Sequence, residues 1–412
     1  MAAADPAGSS PPPVLRVVAG ILERSDGRVL ITQRPEGKVY AGYWECPGGK
    51  IEAGETAFEA IVRELREDLT VEVEVAHPWL RRRFTYPHAT VELRFLRIPQ
   101  WRGEVCGNEG QAFSWERADA PAVEPMLPAN GPILAALRLP FEYALTQAAE
   151  VGVAAQLQAL DAALMRGLRL VQVREPGMAP DALAAFAREV VARAHRAGAR
   201  VLVNGDSLLA QAIGADGVHL RAAQLAALEQ RPALPLVGAS CHDASELEKA
   251  GSLGCDFAVL GPVAATLTHP GAPALGWPAF AALASTSTIP VYALGGLAPA
   301  DLALARSHGA QGVAFQRAAW REPSCRHRPC GSPCLHRLIP RCSNRSVRRL
   351  RPAVASISRA CCPMRCSTAC RARCASCSRT RRCTRRPGCA RWCGPMARST
   401  VAASSTSSPR AC

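Results

Sequence analysis

The feature that most constrains the fold is a regular alternation of short apolar runs and helical stretches in residues 143–320. Runs typical of buried strands occupy residues 143–145, 168–173, 200–203, 217–220, 234–238, 257–260, 291–294 and 312–315. Residues 181–197 form the clearest of the intervening helices. Eight strands that alternate with helices predict a (β/α)8 barrel of the TIM type, whose ligand sites lie in the loops after the strands.

Residues 14–137 have a different pattern, which predicts a separate α+β domain. Apolar runs at 15–22 and 29–32 flank turn residues and predict a hairpin. Residues 56–69 carry apolar side chains at helical spacing, and strand-like runs follow at 71–75, 90–98 and 111–115. We therefore predict a disordered leader over 1–13, this domain over 14–137, a linker over 138–142 and the barrel over 143–320.

The charge and the cysteines of the chain are concentrated in residues 321–412. That stretch holds 21 arginines, one acid and 14 of the 18 cysteines. Its net charge is therefore +20, whereas the net charge of the whole chain is +15. The first 320 residues therefore carry −5 and four cysteines, a composition typical of a cytoplasmic protein without a disulfide framework. Frequent prolines in the apolar residues 257–300 argue against a membrane helix.

The composition of the tail permits three interpretations. Cys366, Cys370, Cys374 and Cys377 are spaced closely enough to suggest a zinc site, and the arginines suggest nucleic-acid binding. However, the stretch lacks lysine and hydrophobic periodicity, and its bias is what an off-frame reading of GC-rich coding DNA gives. We favour a disordered or spurious extension and do not expect a nucleic-acid partner.

A glycine turn that leads into an acidic helix is the strongest chemical signal in the first domain. Glu64, Glu67 and Asp68 stand at i, i+3 and i+4, so they project from one helix face. Carboxylates this close repel one another and suit Mg²⁺, with Mn²⁺ as the alternative, which bridges polyphosphate oxygens. Glu55 and Arg63 are placed to form an ion pair between loop and helix. The alternative is a solvated acidic face, which the coincidence of these offsets disfavours.

Residues 49–71 resemble the Nudix box, GX₅EX₇REUXEEXGU with U aliphatic. Two positions depart from it: the last acid is Asp68 instead of Glu, and the glycine before the final aliphatic residue is Thr70. The shorter acid weakens metal binding and the threonine strains the helix end. The resemblance implies a hydrolase of nucleoside triphosphates in which the Gly49 carbonyl joins Glu64, Glu67 and Asp68 as a metal ligand.

Further motifs over residues 14–137 resemble MutT-type 8-oxo-dGTP diphosphatases: Trp44-Glu45-Cys46-Pro47-Gly48-Gly49-Lys50, Trp101-Arg102-Gly103-Glu104, Asn108-Glu109-Gly110-Gln111 and Pro128-Ala129-Asn130. By position, Glu109 is an additional catalytic and metal-binding carboxylate, Asn130 reads the purine edge and Tyr86 lines the base pocket. Arg34 is a candidate phosphate contact, whereas Arg81-Arg82-Arg83 is interpreted as a solvated strand end. Ala89 replaces a family arginine, so base selectivity is the less secure expectation. The implied role is nucleotide-pool sanitation.

The barrel segment resembles the thiamine-phosphate synthase and TenI-like family, through motifs that include Gln172-Val173-Arg174-Glu175, Gly217-Val218-His219-Leu220 and Ala293-Leu294-Gly295-Gly296. The resemblance implies a phosphorylated small molecule as ligand, bound by Thr268, Gly295, Gly296 and Gly312. Residues expected for catalysis are replaced: a lysine by Pro176, two metal aspartates by Gly205 and Gln224, and a phosphate-loop lysine by His269. We favour a ligand-binding barrel over the alternative, a bifunctional enzyme with an active synthase in which Asp206 substitutes.

Overall fold

The computed structural model describes residues 14–87, 89–108, 110–266 and 273–321. The predicted leader and nearly all of the predicted tail lie outside these residues, as do Glu109, Thr268 and His269. Within the described residues the chain forms an α+β domain followed by a barrel, as the sequence predicts. None of the helices described is long and apolar enough to cross a membrane.

The first domain contains two sheets. Four strands form the larger sheet in the order β4-β1-β6-β5: β1 (Val14–Leu22), β4 (Gly48–Lys50), β5 (Glu72–Thr85) and β6 (Thr90–Arg102). Three strands form the smaller sheet in the order β3-β2-β7: β2 (Arg28–Gln33), β3 (Trp44–Glu45) and β7 (Phe113–Arg117). The predicted β1–β2 hairpin is wrong except for one bridge between Glu23 and Val29, because the two strands diverge into different sheets.

Helix α1 (Ala57–Leu69) packs its apolar face on the larger sheet. Thr56 caps its first turn in a capping box with Glu59, which satisfies two backbone N–H groups that the helix leaves unpaired. Ile61, Leu65 and Leu69 are fully buried beside strands β1 and β6. Burial of such side chains stabilises the fold by about 1.5–3 kcal/mol each, so it fixes which helix face remains for chemistry. The short helix α2 (Gly131–Leu137) closes the domain.

Eight parallel strands close the barrel, and each of the eight predicted apolar runs supplies one. The strands are β8 (Glu142–Leu145), β9 (Leu170–Val173), β10 (Arg200–Asn204), β11 (Gly217–Leu220), β12 (Leu236–Cys241), β13 (Phe257–Leu260), β14 (Val291–Leu294) and β15 (Gly312–Phe315). The helices between them are α3 (Ala148–Val151), α4 (Val153–Met165), α5 (Pro180–Arg196), α6 (Ser207–Ala212), α7 (Ala222–Ala227), α8 (Ala244–Leu253), α9 (Gly276–Ala284) and α10 (Leu302–Ser307).

The two domains meet at the end of the barrel where the strands begin. The Trp79 indole N–H and the Arg97 guanidinium, both of the first domain, each donate to the Oε1 atom of Gln311, a fully buried barrel residue, at 2.9 Å. Glu23 forms ion pairs with Arg97 and with Arg306 of the barrel. Both cations also lie over the ring of Phe141. The predicted linker is therefore packed between the domains.

Candidate active site

The loop of the acidic motif lies directly against the helix that carries the acids. Strand β4 pairs antiparallel with β1, which places Gly49 opposite Val18. A Cβ atom on Gly49 would lie 2.1 Å from the carboxyl carbon of Glu64, so a side chain here cannot coexist with this position of the carboxylate. The absence of a side chain at Gly49 thus brings loop backbone and Glu64 together, as metal ligation by both requires.

Arg63 holds the acidic residues of the loop and the helix together. Its guanidinium donates twice to Glu55, from Nε to Oε1 and from Nη2 to Oε2, each at 2.9 Å. It also donates to Glu64 Oε1 at 2.9 Å, to the Lys50 carbonyl at 3.0 Å and to Glu67 Oε2 at 3.5 Å. The predicted Glu55–Arg63 pair is present, and the same cation screens two of the predicted metal acids.

The electrostatics of this cluster follow from Arg63. Hydrogen bonds from Arg63 hold the pKa of the Glu55 carboxyl below its ordinary value, and the same bonds raise the pKa of Arg63. Glu64 is largely shielded, whereas the Glu67 side chain is 61% exposed and lies open to an incoming ligand. Within the described part of the chain, no three acidic, histidine or cysteine side chains converge into a preformed metal site.

The donor chemistry of the cluster nevertheless fits a hard divalent cation. Three carboxylates on one helix face and an adjacent loop backbone supply oxygen atoms, which Mg²⁺ and Mn²⁺ prefer. Arg63 supplies the charge compensation among the carboxylates that a bound cation would supply. In the structure, Arg63 is thus the cation that pairs with Glu64 and Glu67.

The end of α1 is joined to the loop that follows β6. Asn108 donates its backbone N–H to the Asp68 carbonyl at 2.9 Å and its side-chain amide to the Glu67 carbonyl at 2.6 Å. Thr70 ends the helix at φ 58°, in the left-handed region, and donates its hydroxyl to Asn108 Oδ1. The predicted strain at Thr70 is present, because a β-branched residue adopts this conformation at a cost.

Four aromatic side chains of the first domain form a cluster around Tyr86. The ring of Tyr86 packs against Phe84, with ring centroids 4.5 Å apart, and against Tyr40 at 5.5 Å. Tyr40 in turn contacts Tyr43 edge-on at 5.3 Å. Tyr86 also shares a hydrogen bond with the backbone of Ala129, and its partial burial raises the pKa of its hydroxyl. The structure thus places Tyr86 in an aromatic cluster that can stack on a flat ring.

Asn130 lies next to this cluster and is buried. Its backbone begins α2, but its side chain makes no capping bond to that helix. The segment before it is fixed to β3, because Trp44 donates to the Pro125 carbonyl and accepts from the Leu127 N–H. These bonds and the hydrogen bond between Tyr86 and Ala129 make Asn130, Tyr86 and β3 close neighbours.

Glu45 is a candidate site residue that the motif contained but the sequence analysis did not single out. Arg34 donates to Glu45 Oε1 at 2.5 Å and to the Val39 carbonyl at 2.7 Å, so this predicted phosphate contact is engaged with a carboxylate. Burial raises the pKa of Glu45 although Arg34 opposes the shift, and the charge of Asp68 raises it further. The charge of Asp68 on α1 therefore acts on Glu45, although less than burial and Arg34 do. The signal available in the sequence is a glutamate that directly follows Tyr43 and Trp44.

A cavity of about 430 Å³ opens at the end of the barrel where the strands finish. It is lined by residues that include Arg174, Asn204, His219, Gly295 and Gly296. His219 is buried between the hydroxyls of Tyr143 and Ser240, at 3.2 and 3.0 Å, and desolvation lowers its pKa to about 3. This histidine is therefore neutral at physiological pH and serves as a hydrogen-bonding group.

The two barrel positions expected to carry metal aspartates contact each other instead. The Gln224 amide donates to the Gly205 carbonyl at 2.7 Å and accepts from the Arg221 guanidinium at 3.1 Å. Gly205 has φ +72°, and a Cβ atom there would lie 2.8 Å from Arg221 Nε. Asp206 is engaged in capping α6 by accepting from the Leu209 N–H. An amide and a guanidinium therefore stand where a magnesium site needs acids, and these residues do not fit the cation.

The predicted phosphate-binding glycines separate into two groups. Gly295 and Gly296 border the cavity with φ +112° and +65°, but added Cβ atoms would also approach Pro262 and the Ala265 carbonyl within 2.8 Å. Gly312 begins β15 at the opposite end of the barrel, where a Cβ atom would lie 2.0 Å from the Phe141 carbonyl oxygen. The structure therefore does not bring Gly312 to the cavity; close backbone packing explains this glycine.

Fold and site together define a class: an α+β domain with a loop-and-helix acid cluster of the Nudix type, joined to a TIM-type barrel. Comparisons with known proteins agree for both parts. A family model described as "NUDIX domain" matches residues 18–136, and one described as "Thiamine monophosphate synthase" matches residues 142–319.

Individual relatives support each match. The 8-oxo-dGTP diphosphatase of Haemophilus influenzae is 36% identical over 121 residues, which are 29% of this chain and 89% of that protein. The CTP pyrophosphohydrolase of Escherichia coli is 36% identical over 123 residues, 30% of this chain and 90% of that protein. The thiamine-phosphate synthase of Thioalkalivibrio sulfidiphilus is 33% identical over 167 residues, 40% of this chain and 79% of that protein.

The chain belongs to the Nudix family through its first domain and to the thiamine monophosphate synthase family through its barrel. It is therefore a hydrolase that acts on phosphoric anhydrides, in a family that uses divalent cations.

Proposed function

We propose that the first domain hydrolyses nucleoside triphosphates to a nucleoside monophosphate and pyrophosphate, with an oxidised guanine nucleotide, 8-oxo-dGTP, as its substrate. The observation that carries the proposal is the close approach of Gly49 and Glu64, together with the aromatic cluster around Tyr86, which we propose as the base pocket. The contact unites the loop with the acidic helix, and the pocket offers a flat ring a stacking surface. The loop and the acidic helix would bind the triphosphate, and the aromatic side chains would bind the base attached to it.

Each acid has a proposed role. Glu64, Glu67 and Asp68, with Glu109 from the loop after β6 and the Gly49 carbonyl, hold Mg²⁺, with Mn²⁺ as the alternative. When bound, the cation neutralises the phosphates and lowers the pKa of a water that attacks phosphorus. Glu67 is the most exposed of the carboxylates paired with Arg63, and we assign to it the role of accepting the proton of the attacking water. Water adds across one anhydride bond, and pyrophosphate leaves.

The base is recognised by the pocket. Tyr86 stacks on the ring, and the Asn130 amide both donates and accepts at the guanine edge. Arg34 and Glu45 act as one hydrogen-bonded pair at the pocket wall, with Arg34 free to turn an N–H toward substrate oxygen. An amide and an Arg–carboxylate pair give the pocket donors and acceptors of both kinds, which suits a purine edge better than a purely apolar pocket would.

A second candidate substrate is a pyrimidine triphosphate. The relative named CTP pyrophosphohydrolase matches this chain at the same identity as the 8-oxo-dGTP diphosphatase, so identity alone does not choose between them. A panel of kcat/KM values for 8-oxo-dGTP, dGTP, dATP and CTP with Mg²⁺ makes the choice. We expect the highest kcat/KM for 8-oxo-dGTP. If kcat/KM is highest for CTP, the substrate is a pyrimidine triphosphate instead. Equal values for all four nucleotides would contradict recognition of the base.

For the barrel we propose binding of a phosphorylated small molecule without thiamine phosphate synthesis. Gly295, Gly296 and Thr268 remain the candidate phosphate contacts, and Arg174 adds a cation at the cavity wall. Synthesis requires that the charge of a departing pyrophosphate be neutralised as its bond breaks. The contact between Gly205, Gln224 and Arg221 replaces the acids that would hold a cation for this purpose.

A further inference from the structure

A second cavity lies between the domains, at the end of the barrel where the strands begin. Its volume is about 520 Å³, within the range of small-molecule sites. One wall comes from β5 and α2 of the Nudix domain and the other from barrel segments that precede the strands. It is therefore remote from the barrel cavity at the opposite end. We call it the junction cavity.

Arg82 of β5 lines the junction cavity with unsatisfied donors. The three successive arginines are predicted to form a solvated strand end, but Arg82 is half-buried whereas Arg83 is exposed. Arg81 is fixed by its backbone N–H, which donates to the Ser287 carbonyl of the barrel. The Arg82 backbone is paired with β6, but within the described residues its guanidinium makes no hydrogen bond and no ion pair, and burial lowers its pKa. A half-buried cation without a partner is costly unless an anion or water supplies one.

Arg200 faces the same cavity from the first residue of β10. Its guanidinium donates from Nη2 to the Arg138 carbonyl at 3.0 Å, and burial lowers its pKa as well. Arg138, at the end of α2, contributes a third guanidinium to the lining. Neither Arg138 nor Arg200 has a carboxylate within 4.0 Å among the residues described. Three cations from two domains therefore converge without ion pairs.

The acids of the junction cavity are already bonded. Asp216 Oδ2 accepts from the Val201 N–H at 2.7 Å and from His195 at 2.9 Å. Asp256 Oδ2 accepts from the Val237 N–H and pairs with Arg231, both at 2.7 Å. These carboxylates fix the starts of strands β10 and β12, and their pairing leaves the arginines as the groups with free donors. The charges of Asp216 and Asp256 favour the charged form of Arg200, whereas desolvation alone shifts the pKa of Arg82, so Arg82 is the cation with the least compensation.

We propose that the junction cavity binds a small phosphate-bearing anion between Arg82 and Arg200, bridging the Nudix domain and the barrel. Guanidinium groups offer paired N–H donors that match phosphate oxygens, and a dianion would compensate both half-buried charges. Inorganic phosphate and the pyrophosphate released by phosphoanhydride hydrolysis share this chemistry. Because the ligand contacts both domains, its binding stabilises their association.

The test is isothermal titration calorimetry of the full chain with inorganic phosphate and, separately, with pyrophosphate, in buffer that contains EDTA. Without divalent cations the Nudix carboxylates repel both anions, so the titration measures other sites. Arg82→Gln should weaken binding of the preferred anion by at least about tenfold, since a hydrogen bond to a charged group is lost. Arg83→Gln, the exposed neighbour on the same strand, is the matched control and should keep the wild-type affinity.

Two further results decide the proposal. Arg200→Gln should weaken the same anion, and the double variant should lose little more than either single variant if both arginines hold one ligand. If Arg200→Gln fails to fold, Arg82→Gln carries the test alone, because the Arg82 guanidinium has no hydrogen bond or ion pair among the described residues to lose. Wild-type affinity in Arg82→Gln, or equal weakening in Arg82→Gln and Arg83→Gln, overturns the proposal. Neither result depends on turnover, so the hydrolase proposal is tested separately.

Discussion

Two sites of one chain show opposite treatments of the same requirement, the neutralisation of phosphate charge. At residues 49–68 the acids of the family pattern are retained, and Arg63 holds them beside the loop. At residues 205 and 224 the acids are absent, and Gln224 and Arg221 occupy the space with a hydrogen-bonded pair. Both domains keep their folds. The difference teaches that a barrel can be fully packed without acids at these two positions, since core and site depend on different residues.

The largest expected effect tests the retained site. Glu67→Gln should lower kcat for 8-oxo-dGTP by about 10³-fold or more, because an amide neither takes the proton nor attracts the cation. Circular dichroism and thermal unfolding should stay like wild type, since the Glu67 side chain is 61% exposed. Glu72→Gln, an exposed acid at the start of β5, is the matched control and should leave kcat unchanged. Undiminished turnover by Glu67→Gln would remove this acid from the mechanism.

A smaller effect is expected in the base pocket. Asn130→Ala should raise KM for 8-oxo-dGTP by about 10- to 100-fold, corresponding to about 1–3 kcal/mol for a lost base-edge contact. KM for CTP should change much less. Steady-state kinetics measures the change in KM for each nucleotide. The change in KM for CTP serves as the control for the change in KM for 8-oxo-dGTP. A parallel loss on both nucleotides would mean that Asn130 only supports α2.

In the barrel, we expect acid to weaken the fold through His219. Its pKa is about 3 in the folded chain and near 6.5 in the unfolded chain. As the pH falls below 6.5, His219 therefore binds a proton in the unfolded chain but stays neutral in the folded chain. The free energy of unfolding should therefore fall by about 2 kcal/mol between roughly pH 7.5 and 5. His219→Gln should lack this part of the pH dependence. Chemical denaturation of both proteins measures it, and identical slopes would show that the histidine titrates normally.

The smallest expected effect is at the end of α1. Thr70→Gly should raise the free energy of unfolding by about 0.5–1 kcal/mol, because glycine adopts the left-handed conformation of this residue without strain. The lost hydroxyl contact with Asn108 is exposed and offsets little of this gain. Thr56→Gly, which removes a capping side chain, should lower the same quantity. A destabilised Thr70→Gly would show that the Asn108 contact outweighs the strain.

The sequence predicted the barrel well because its strands are buried on both sides and therefore read as continuous apolar runs. It predicted α1 for a similar reason, since Ile61 and Leu65 recur on one face. It did not predict that β1 and β2 enter different sheets, because the pairing is set by β6, which is far along the chain. The packing of residues 138–142 also depends on a distant partner, Arg97.

The candidate sites were predictable where spacing along one helix defines them, as for Glu64 and Glu67. Contacts between distant segments were not predictable. The Arg34–Glu45 pair and the approach of Gln224 to Gly205 arise only when strands and loops meet. For Gly312 the sequence predicts a phosphate contact. In the structure this glycine instead allows close backbone packing against Phe141.

The most direct test of the contrast between the two sites is phosphorus NMR of the full chain with Mg²⁺ in one mixture. The mixture contains 8-oxo-dGTP and the two substrates of thiamine phosphate synthesis, a pyrimidine pyrophosphate and a thiazole phosphate. Our account predicts that 8-oxo-dGTP is converted to 8-oxo-dGMP and pyrophosphate while the thiazole phosphate resonance persists unchanged. Disappearance of the thiazole phosphate into thiamine phosphate, or 8-oxo-dGTP left intact, would contradict it.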